Sequence, residues 1–472
     1  MKPLRARRYF HCLICILFYL SPLLHAAGRE DSILKRLTHP TTNAGKKKAT
    51  TAFGAITNYL ELGPLLGNVG ATEAKIWAKA AGPGEMCIGF GKMENLSDAK
   101  YSPVEKLQLE TFFSTHLQLT NLEPSNKYFY CVMLNGEAAM ARPYPSFNTA
   151  PSPGTKEHLR FAFVSCVGYN NYDSAPTWAE MATRTNFDIL LMLGDNHYGN
   201  TTDPAQHLKK YAEQRHLAAY AEIARHVPEY AIWDNHDYSP EPCDKTARNK
   251  EQTLRAFKMF WPNLSYGEPD NPGVYYKFSH GAIDFFMTDN RYERSPDNAP
   301  DNEDKTYLGT KQMAWLKREL LASKAPVKVL ASGGEFESYG VKNSWANFKH
   351  ARDELFKFIE DNHITGVLLI SGDRHFTAAY QVSGKFIEVT SGPTGSKFAE
   401  AKLNPEVFFY GSKGKYFCIY DIDTRPVEPV ATIEIYKTAD GLIERRTFSW
   451  DEVLGKKKIE PLTSANKSRV EK

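Results

Sequence analysis

Apolar and polar positions follow two different patterns along the chain. Between residues 59 and 150, short alternating runs are separated by Gly, Pro and Asn, and no helical period of any length occurs. Such alternation predicts strands with one buried face, at residues 74–78, 86–90, 116–119 and 127–132. We therefore predict a small β-sandwich domain for residues 59–150, followed by a hinge at 151–154.

The second pattern covers residues 155–455 and predicts a domain of another class. Its short apolar runs suit strands that are buried on both faces, at 161–164, 189–192, 230–233, 283–287, 327–330 and 367–370. Helical periods lie between several of these runs, at 204–227, 250–261, 309–321 and 348–362. This alternation predicts an α/β core whose sheets are covered by helices, with short strands returning after residue 380.

The two ends of the chain look unlike either domain. Residues 1–27 combine a basic start, an apolar run and small residues, which is the layout of a secretory signal peptide. An uncleaved anchor is the alternative, and Arg7-Arg8-Tyr9-Phe10 resembles part of a twin-arginine export signal. Residues 28–58 are predicted to be a linker and 456–472 a solvated tail. We expect a periplasmic or secreted protein with no membrane-spanning segment beyond the signal peptide.

Composition and charge limit the kinds of partner that the protein is expected to bind. The chain has 472 residues, of which 42% are hydrophobic and 24% charged, as in soluble globular proteins. Its net charge is only +3 and the basic residues are spread along the chain. We therefore expect no specific nucleic-acid partner. The sequence gives no signal for an oligomeric state.

Potential ligands follow the carboxyl ends of the buried strands. They lie in the segments Ser165-Cys166, Gly194 to Tyr198, Asp234 to Asp237, Asp289 to Arg291, Gly333 to Glu335 and Gly372 to His375. Each segment alone has a simpler explanation, such as a packed cysteine, an Asx-turn or a surface loop. Because sites in α/β sheets form at the carboxyl ends of strands, their joint recurrence predicts one shared site.

The same segments resemble a known family. Ser165-Cys166, Gly194-Asp195-x-x-Tyr198, Trp233-Asp-Asn-His-Asp237, Asp289-x-Arg291, Trp315-Leu316 and Ser371-Gly-Asp-Arg-His375 are similar to motifs of the alkaline phosphatase D (PhoD-like) family of calcineurin-like metallophosphoesterases. The resemblance covers roughly residues 62–450. It implies a fibronectin-like β-sandwich followed by a calcineurin-like αββα catalytic domain. Two positions depart from the family's pattern: Asn235, where Asp is usual, and Glu335, where we expect Gln.

The resemblance and the residue types together imply a two-metal site. Asp195 has two carboxylate oxygens and can bridge metals about 3.5–4 Å apart. Cys166, Tyr198 and His375 would complete one metal, and this mixed set suits ferric iron. Asn235 and Asp373 would supply oxygen to the second metal, with Glu335 or Asp234 as further candidates. Oxygen ligands suit calcium, manganese or magnesium better than zinc.

Three further residues are predicted to act on the substrate. His236 is expected near the leaving group, as proton donor or charge stabiliser. Arg291 and Arg374 are candidates for the phosphate oxygens, although Arg374 could instead form an ordinary salt bridge. His197 is a candidate for supporting a ligand from behind.

The expected function is hydrolysis of phosphate mono- or diesters by in-line attack of a metal-bound hydroxide. Two alternatives stay open at this point. One is a phosphodiesterase that acts on polymeric or lipid phosphodiesters. The other is a non-catalytic binding or adhesion protein on the same scaffold, since a fold does not fix a function.

Five cysteines remain beyond the predicted signal peptide, which leaves an odd one if the others pair. Cys87 and Cys131 lie in predicted strands of the sandwich and could form a disulfide. Cys243 and Cys418 could pair or stay buried. Cys166 is expected to be unpaired because it is a predicted metal ligand.

Overall fold

The computed structural model describes residues 49–51, 54–56 and 58–462, apart from 169–170, 185, 338–342, 401–403 and 412. The predicted signal peptide, the predicted linker up to residue 48 and the tail from residue 463 lie outside the described residues. Within the predicted linker, β1 (Ala49–Thr51) and β2 (Gly54–Ile56) pair antiparallel. No helix among the described residues is long and apolar enough to cross a membrane.

Residues 60–148 form two antiparallel sheets around one hydrophobic core. The strands are β3 (Leu60–Val69), β4 (Ala74–Ala80), β5 (Gly84–Gly91), β6 (Lys100–Tyr101), β7 (Glu105–Leu107), β8 (Ser114–Leu119), β9 (Lys127–Leu134), β10 (Glu137–Ala138) and β11 (Ser146–Asn148). One sheet has the order β3-β4-β8, and the other β10-β9-β5-β6, with β7 on β5 and β11 on β9. Ile76 and Leu117 of the first sheet share the buried core with Ile88 and Val132 of the second. The four strands predicted for this region are confirmed. A single 3-10 turn (Leu109–Thr111) precedes β8.

The following part of the chain alternates strands and helices. Its strands are β12 (His158–Val164), β13 (Ile189–Leu193), β14 (Glu229–Ile232), β15 (Gly267–Glu268), β16 (Asn271–Pro272), β17 (Tyr276–His280), β18 (Ile283–Met287), β19 (Val327–Ala331), β20 (Val367–Ser371), β21 (Thr377–Val382), β22 (Phe386–Thr390), β23 (Val407–Gly411), β24 (Tyr416–Asp423), β25 (Val430–Lys437) and β26 (Gly441–Phe448). Its helices are α1 (Ala175–Arg184), α2 (Pro204–Arg215), α3 (Ala218–His226), α4 (Asn235–Tyr238), α5 (Lys250–Phe260), α6 (Thr310–Ala322), α7 (Lys349–Asp361) and α8 (Trp450–Val453), with 3-10 turns at Asn171–Ser174 and Trp345–Phe348.

Two large sheets result, and they pack face to face. The first has the order β14-β13-β12-β24-β25-β26 and the second β17-β18-β19-β20-β22-β21-β23. Phe161 of β12 meets Phe285 of β18 edge to face, with ring centroids 5.2 Å apart. The next residue, Phe286, lies on the opposite face of its sheet and packs with Leu316 of α6 and Leu355 of α7. The six predicted core strands are therefore confirmed as mixed α/β structure, and helices cover the second sheet.

The predicted helix at 204–227 is wrong in one respect, because it is two helices. Leu217 is buried and has an extended backbone, with φ −67° and ψ 117°, so α2 ends before it and α3 begins after it. The break lets α2 pack on α5 while α3 packs on α1. Neither Gly nor Pro marks this break in the sequence, so periodicity alone does not reveal it.

No disulfide joins any of the five cysteines that the structure describes. Cys87 lies opposite Met133 and Cys131 lies opposite Gly89, so the two cysteines are diagonal neighbours. Diagonal positions are roughly 7–8 Å apart, beyond the reach of a disulfide. The predicted option of a Cys87–Cys131 bond is therefore wrong. Cys243 and Cys418 stay buried, as the other option had it.

Candidate active site

Four of the six predicted metal ligands come together where strands of both sheets end. Ligand atoms of Cys166, Asp195 and His375 lie within 4.8 Å of one another, and so do those of Asp195, Asp234 and Asp373. Cys166 and Asp195 follow strands β12 and β13 of the first sheet, whereas Asp373 follows β20 of the second. Asp195 belongs to both groups, so the two groups of donor atoms share one carboxylate.

The backbone at these ligands is unusual. Cys166, Asp195, Asp373 and His375 have φ values of 56°, 52°, 70° and 55°, in the left-handed region that residues other than glycine rarely adopt. Such conformations persist where the surrounding structure holds them, and they cluster at functional sites. A Cβ atom on Gly194 would lie 2.6 Å from the backbone nitrogen of Asp234. Glycine at this position therefore lets the ends of β13 and β14 approach closely.

Tyr198 joins the ligands of the first group. Its hydroxyl donates to Asp195 Oδ2 at 3.1 Å and lies 2.8 Å from His375 Nε2. The other ring nitrogen of His375, Nδ1, is 2.9 Å from the carbonyl oxygen of Lys397, which can only accept a hydrogen bond. Nδ1 therefore carries the proton, and Nε2 keeps a lone pair directed toward the group. Burial, followed by the charge of Asp195, raises the pKa of both the Cys166 thiol and the Tyr198 hydroxyl.

The second group consists of oxygen atoms. Asp234 Oδ1 accepts hydrogen bonds from Arg291 Nε at 2.6 Å and from Asn290 Nδ2 at 2.8 Å. Its other oxygen, Oδ2, is buried without a hydrogen-bond partner, and the same is true of Asn235 Oδ1. Burial, and next the charge of Asp234, raises the pKa of Asp195 well above its usual range and that of Asp373 to about 7.

Crowded carboxylates and buried unpartnered oxygens are costly unless a cation or proton compensates them. The residues present therefore fit a metal pair. Cys166 and His375 offer sulfur and nitrogen in the first group, with the Tyr198 hydroxyl 2.8 Å from His375 Nε2, and Asp195, Asp234 and Asp373 offer oxygen atoms alone in the second.

Asp237 supports the site without belonging to either group. Its Oδ1 accepts the backbone N–H of Asp234 at 2.7 Å and that of Asp195 at 3.3 Å. Its Oδ2 accepts the backbone and side-chain N–H groups of Asn196, at 3.0 and 2.6 Å. One carboxylate thus fixes the ends of two neighbouring strands. The sequence showed Asp237 within a motif, but it did not reveal this role.

His236 lies beside the first group. Its ring stacks on Tyr198 with centroids 3.9 Å apart, and its Nδ1 is 2.7 Å from the amide oxygen of Asn200. Because that oxygen accepts, Nδ1 carries a proton and Nε2 is the nitrogen left for other partners. Burial lowers the pKa of His236 to about 4. Asn200 was not identified from the sequence.

The two predicted phosphate-binding arginines are both engaged with carboxylates. Arg291 is fully buried, and besides Asp234 it donates to the amide oxygen of Asn343 at 2.8 Å. Arg374 forms an ion pair with Glu335, with Nη1 and Oε2 3.5 Å apart. The salt bridge left open by the sequence is therefore present, and phosphate contact stays a prediction for both arginines.

Glu335 and His197 were candidates for supporting the metal site, and neither belongs to the two donor groups. Glu335 is in neither donor group, so its predicted option as a metal ligand finds no support in the geometry. His197 is buried and its Nε2 lies 3.0 Å from His207 Nδ1, while its Nδ1 accepts the N–H of Gly199. Its predicted contact with a ligand stays a prediction.

Comparison with known proteins agrees with the motifs. Residues 161–416 match the family of PhoD-like phosphatases. The chain belongs to this family. The resemblance inferred from the sequence is confirmed, and most of the site lies inside the matched segment. Residues 57–152 match a domain of unknown function, DUF7800.

A curated relative and two solved structures extend the PhoD-like match. Alkaline phosphatase D of Bacillus subtilis (strain 168) is 24% identical in an alignment 344 residues long, which covers 61% of this chain and 58% of the relative. A structure of PhoD superimposes with a TM-score of 0.65 and 18% identity over 86% of this chain and 95% of that one. A structure of purple acid phosphatase PPD1 from yellow lupin (Lupinus luteus) seeds superimposes with a TM-score of 0.63 and 16% identity. This match covers 85% of this chain and 77% of that one. At these identities the structures show a shared fold.

Proposed function

We propose that the chain is an exported two-metal phosphoesterase that hydrolyses phosphate monoesters, diesters or both. The observation that carries the proposal is the pair of donor groups that share Asp195. A shared carboxylate is what a two-metal site requires, because it can hold both ions at the short separation that in-line displacement uses. Membership of the PhoD-like phosphatase family supports the same chemistry.

The donor types favour different metals on the two sides of Asp195. Cys166, Tyr198 and His375 suit iron, whose charge stabilises thiolate and phenolate. Asn235 and Asp373 suit calcium, or another divalent metal such as manganese, magnesium or zinc. The unpartnered Asp234 Oδ2 adds a further oxygen on that side. When bound, the metals would supply an acidified water as nucleophile and positive charge for the phosphate.

The chain's own residues would perform the remaining steps. Asn200 holds the Nδ1–H of His236, so Nε2 is the nitrogen that would first take up a proton, giving the imidazolium, and then pass it to the leaving oxygen. Arg374, placed between Asp373 and His375, would bind phosphate oxygens. Arg291 would hold Asp234 in place through its 2.6 Å hydrogen bond.

The proposed organisation follows from the sequence and the sheets together. Residues 59–150 would be a fibronectin-like β-sandwich, and residues 155–455 a calcineurin-like αββα catalytic domain. The signal peptide proposed at residues 1–27 would direct export, with twin-arginine export as one route. Phosphoesters are the proposed substrates.

Metal analysis combined with an esterase assay tests this proposal. Purified protein should contain metal near two ions per chain and should hydrolyse p-nitrophenyl phosphate, bis(p-nitrophenyl) phosphate or both. A chelator should abolish the activity, and added iron and calcium should restore part of it. Asp195→Asn should lose both metals and turnover, because the shared carboxylate holds the pair. Full activity in protein shown to contain no metal would contradict the proposal.

A further inference from the structure

Arg374 has a built-in counter-charge. It lies between Asp373 and His375 in the chain, its guanidinium packs 5.0 Å from the ring centre of Phe376, and its side chain is 9% exposed. The carboxylate of Glu335, itself 1% exposed, lies 3.5 Å away. The arginine beside the candidate ligands is therefore paired with a buried acid from a different strand end.

The loop that carries Glu335 is held firmly. The carbonyl oxygen of Glu335 accepts the N–H of Trp345 at 3.0 Å. The next two backbone N–H groups, of Phe336 and Glu337, donate to the buried carboxylate of Glu388 at 2.8 and 2.9 Å. Glu388 also accepts the Ser371 hydroxyl at 2.6 Å, at the end of β20. These contacts fix the Glu335 carboxylate relative to the strand that leads to Arg374.

Neighbouring arginines are compensated in the same way. Arg291 is paired with Asp234, and Arg294 with Asp297. In the described part of the site, Arg291, Arg294 and Arg374 thus each have a carboxylate partner. The protein itself would therefore offer a bound phosphate little net positive charge, and bound metals would have to supply it.

We propose that Glu335 is a specificity-determining residue which, by neutralising Arg374, reduces the preference of the site for a doubly charged phosphate. The inference rests on the proposed function of the same site. An uncompensated guanidinium attracts a phosphate dianion more strongly than a monoanion, because the Coulomb energy scales with the product of the charges. Its pairing with Glu335 cancels much of this difference. The preference of the site for doubly charged monoesters over singly charged phosphodiesters is therefore smaller than an unpaired Arg374 would give.

Glu335→Gln tests the proposal, because it keeps the shape of the side chain and removes its charge. Binding of inorganic phosphate, a dianion in mild alkali, and of dimethyl phosphate, a monoanion, is measured by calorimetry on metal-loaded protein. The variant should bind inorganic phosphate more tightly, on the order of tenfold, and dimethyl phosphate by a smaller factor. The ratio of monoester to diester kcat/KM should rise in the same direction.

Glu337→Gln is the matched control. Glu337 lies two residues away and pairs with Arg352 at 3.1 Å, so its removal should leave both affinities unchanged. Arg374→Gln is the second variant: it leaves Glu335 uncompensated and should weaken inorganic phosphate more than dimethyl phosphate.

The possible outcomes distinguish failure of the Glu335 proposal from failure of the proposed phosphoesterase function. Equal shifts for the two anions, or no shift, would overturn the proposal, and so would loss of metal in Glu335→Gln, since Glu335 would then be a ligand. Wild-type protein that binds both anions but hydrolyses neither ester would contradict the proposed function alone. The binding data would still decide the role of Glu335.

Discussion

At the scale of single residues, His236 is a predicted proton donor with closely defined contacts. It contacts Tyr198 by stacking and Asn200 by a hydrogen bond, and it follows Asn235 directly. His236→Asn should keep both metals, because the imidazole belongs to neither donor group found among the described residues. Turnover should fall by roughly 10²–10⁴, the usual contribution of general acid–base catalysis. Elemental analysis checks the metal content, and single-turnover assays check the fall in the rate.

The control for this prediction is Asn200→Ala, which removes the partner of Nδ1 and leaves the imidazole. Its turnover should fall less than that of His236→Asn. If His236→Asn emptied a metal site, the assignment of His236 as a proton donor would be wrong.

Cys166 gives a second prediction at this scale. Its sulfur is fully buried and accepts the Ser165 hydroxyl at 3.2 Å, within the first donor group. Cys166→Ser should lose or weaken one metal, remove any thiolate–iron absorption and lower turnover, because serine is a far poorer ligand for iron. Absorption spectra and metal content are the measurements.

Cys418→Ser is the matched control, because Cys418 is equally buried in β24 and lies outside both donor groups. It should lose stability and keep its metals. If Cys166→Ser behaved like this control, Cys166 would be a packing residue.

The candidate ligands could be located from the sequence for a simple physical reason. Each follows a buried apolar run, and carboxyl ends of parallel strands meet at one edge. Residues that only orient a ligand carry no such mark. Asn343 donates to Asp373 at 2.9 Å, yet it comes from a loop without a distinctive pattern; Asn290 donates to Asp234 at 2.8 Å and lies inside a predicted segment in which its own role was not singled out. Their roles depend on distances that only the fold sets.

At the scale of elements, the ends of β13 and β14 depend on one acid. Asp237, in α4, accepts N–H groups of Asp195, Asn196 and Asp234. Asp237→Asn places an amide donor against one of these donors. We expect a loss of about 1–3 kcal/mol in the free energy of unfolding, the cost of unsatisfied buried polar groups, and weaker metal binding. Denaturation and metal titration measure the two effects.

Asp188→Asn offers the same chemical change at the other end of β13. Asp188 is exposed and accepts the N–H of Arg160 at 2.8 Å. Its effect on stability should be within about 0.5 kcal/mol, as for ordinary surface substitutions. Equal metal affinity in Asp237→Asn and Asp188→Asn would mean that Asp237 does not position the ligands.

The helices and strands also show which elements the sequence patterns predict and which they miss. The strands at 283–287 and 367–370 were predicted within a residue because they are apolar on both faces. Helix α1 was not predicted, and α4 has only four residues, too few to show a helical period. The break between α2 and α3 follows from packing on two different neighbours, which a one-dimensional pattern does not contain.

At the scale of the whole molecule, the two-layer core could be predicted only in part. Alternating strands and helices indicated an α/β core, but the pairing of β24 with β12 joins residues about 260 positions apart, such as Phe161 and Tyr420. Such long-range pairing has no local signature. It makes the last strands of the chain part of the sheet that carries Cys166 and Asp195.

Residues 58–140 and 144–462 belong to one compact unit, although two domains were predicted from the change of pattern. The domain boundary itself stays a prediction. Side chains cross it: the Tyr230 hydroxyl donates to the carbonyl oxygen of Val69 at 3.1 Å, and Lys75 Nζ donates to that of Asn263 at 2.7 Å. The two parts are therefore expected to unfold together.

Trp77 provides the test of this cooperativity. It is fully buried in β4, its ring centre lies 4.1 Å from the guanidinium of Arg215 in α2, and it meets Phe260 of α5 edge to face. Trp77→Ala should lower the free energy of unfolding by about 3–5 kcal/mol, as for other buried tryptophans. Because the lost contacts belong to both parts, the single unfolding transition should shift as a whole, and circular dichroism and loss of esterase activity should report the same shift.

Tyr101→Ala is the control, at a site 63% exposed on the same N-terminal part, and it should leave the unfolding transition unchanged. Two separate transitions in the wild type, or a Trp77→Ala shift seen by circular dichroism alone, would show that the N-terminal sheets fold independently of the catalytic core.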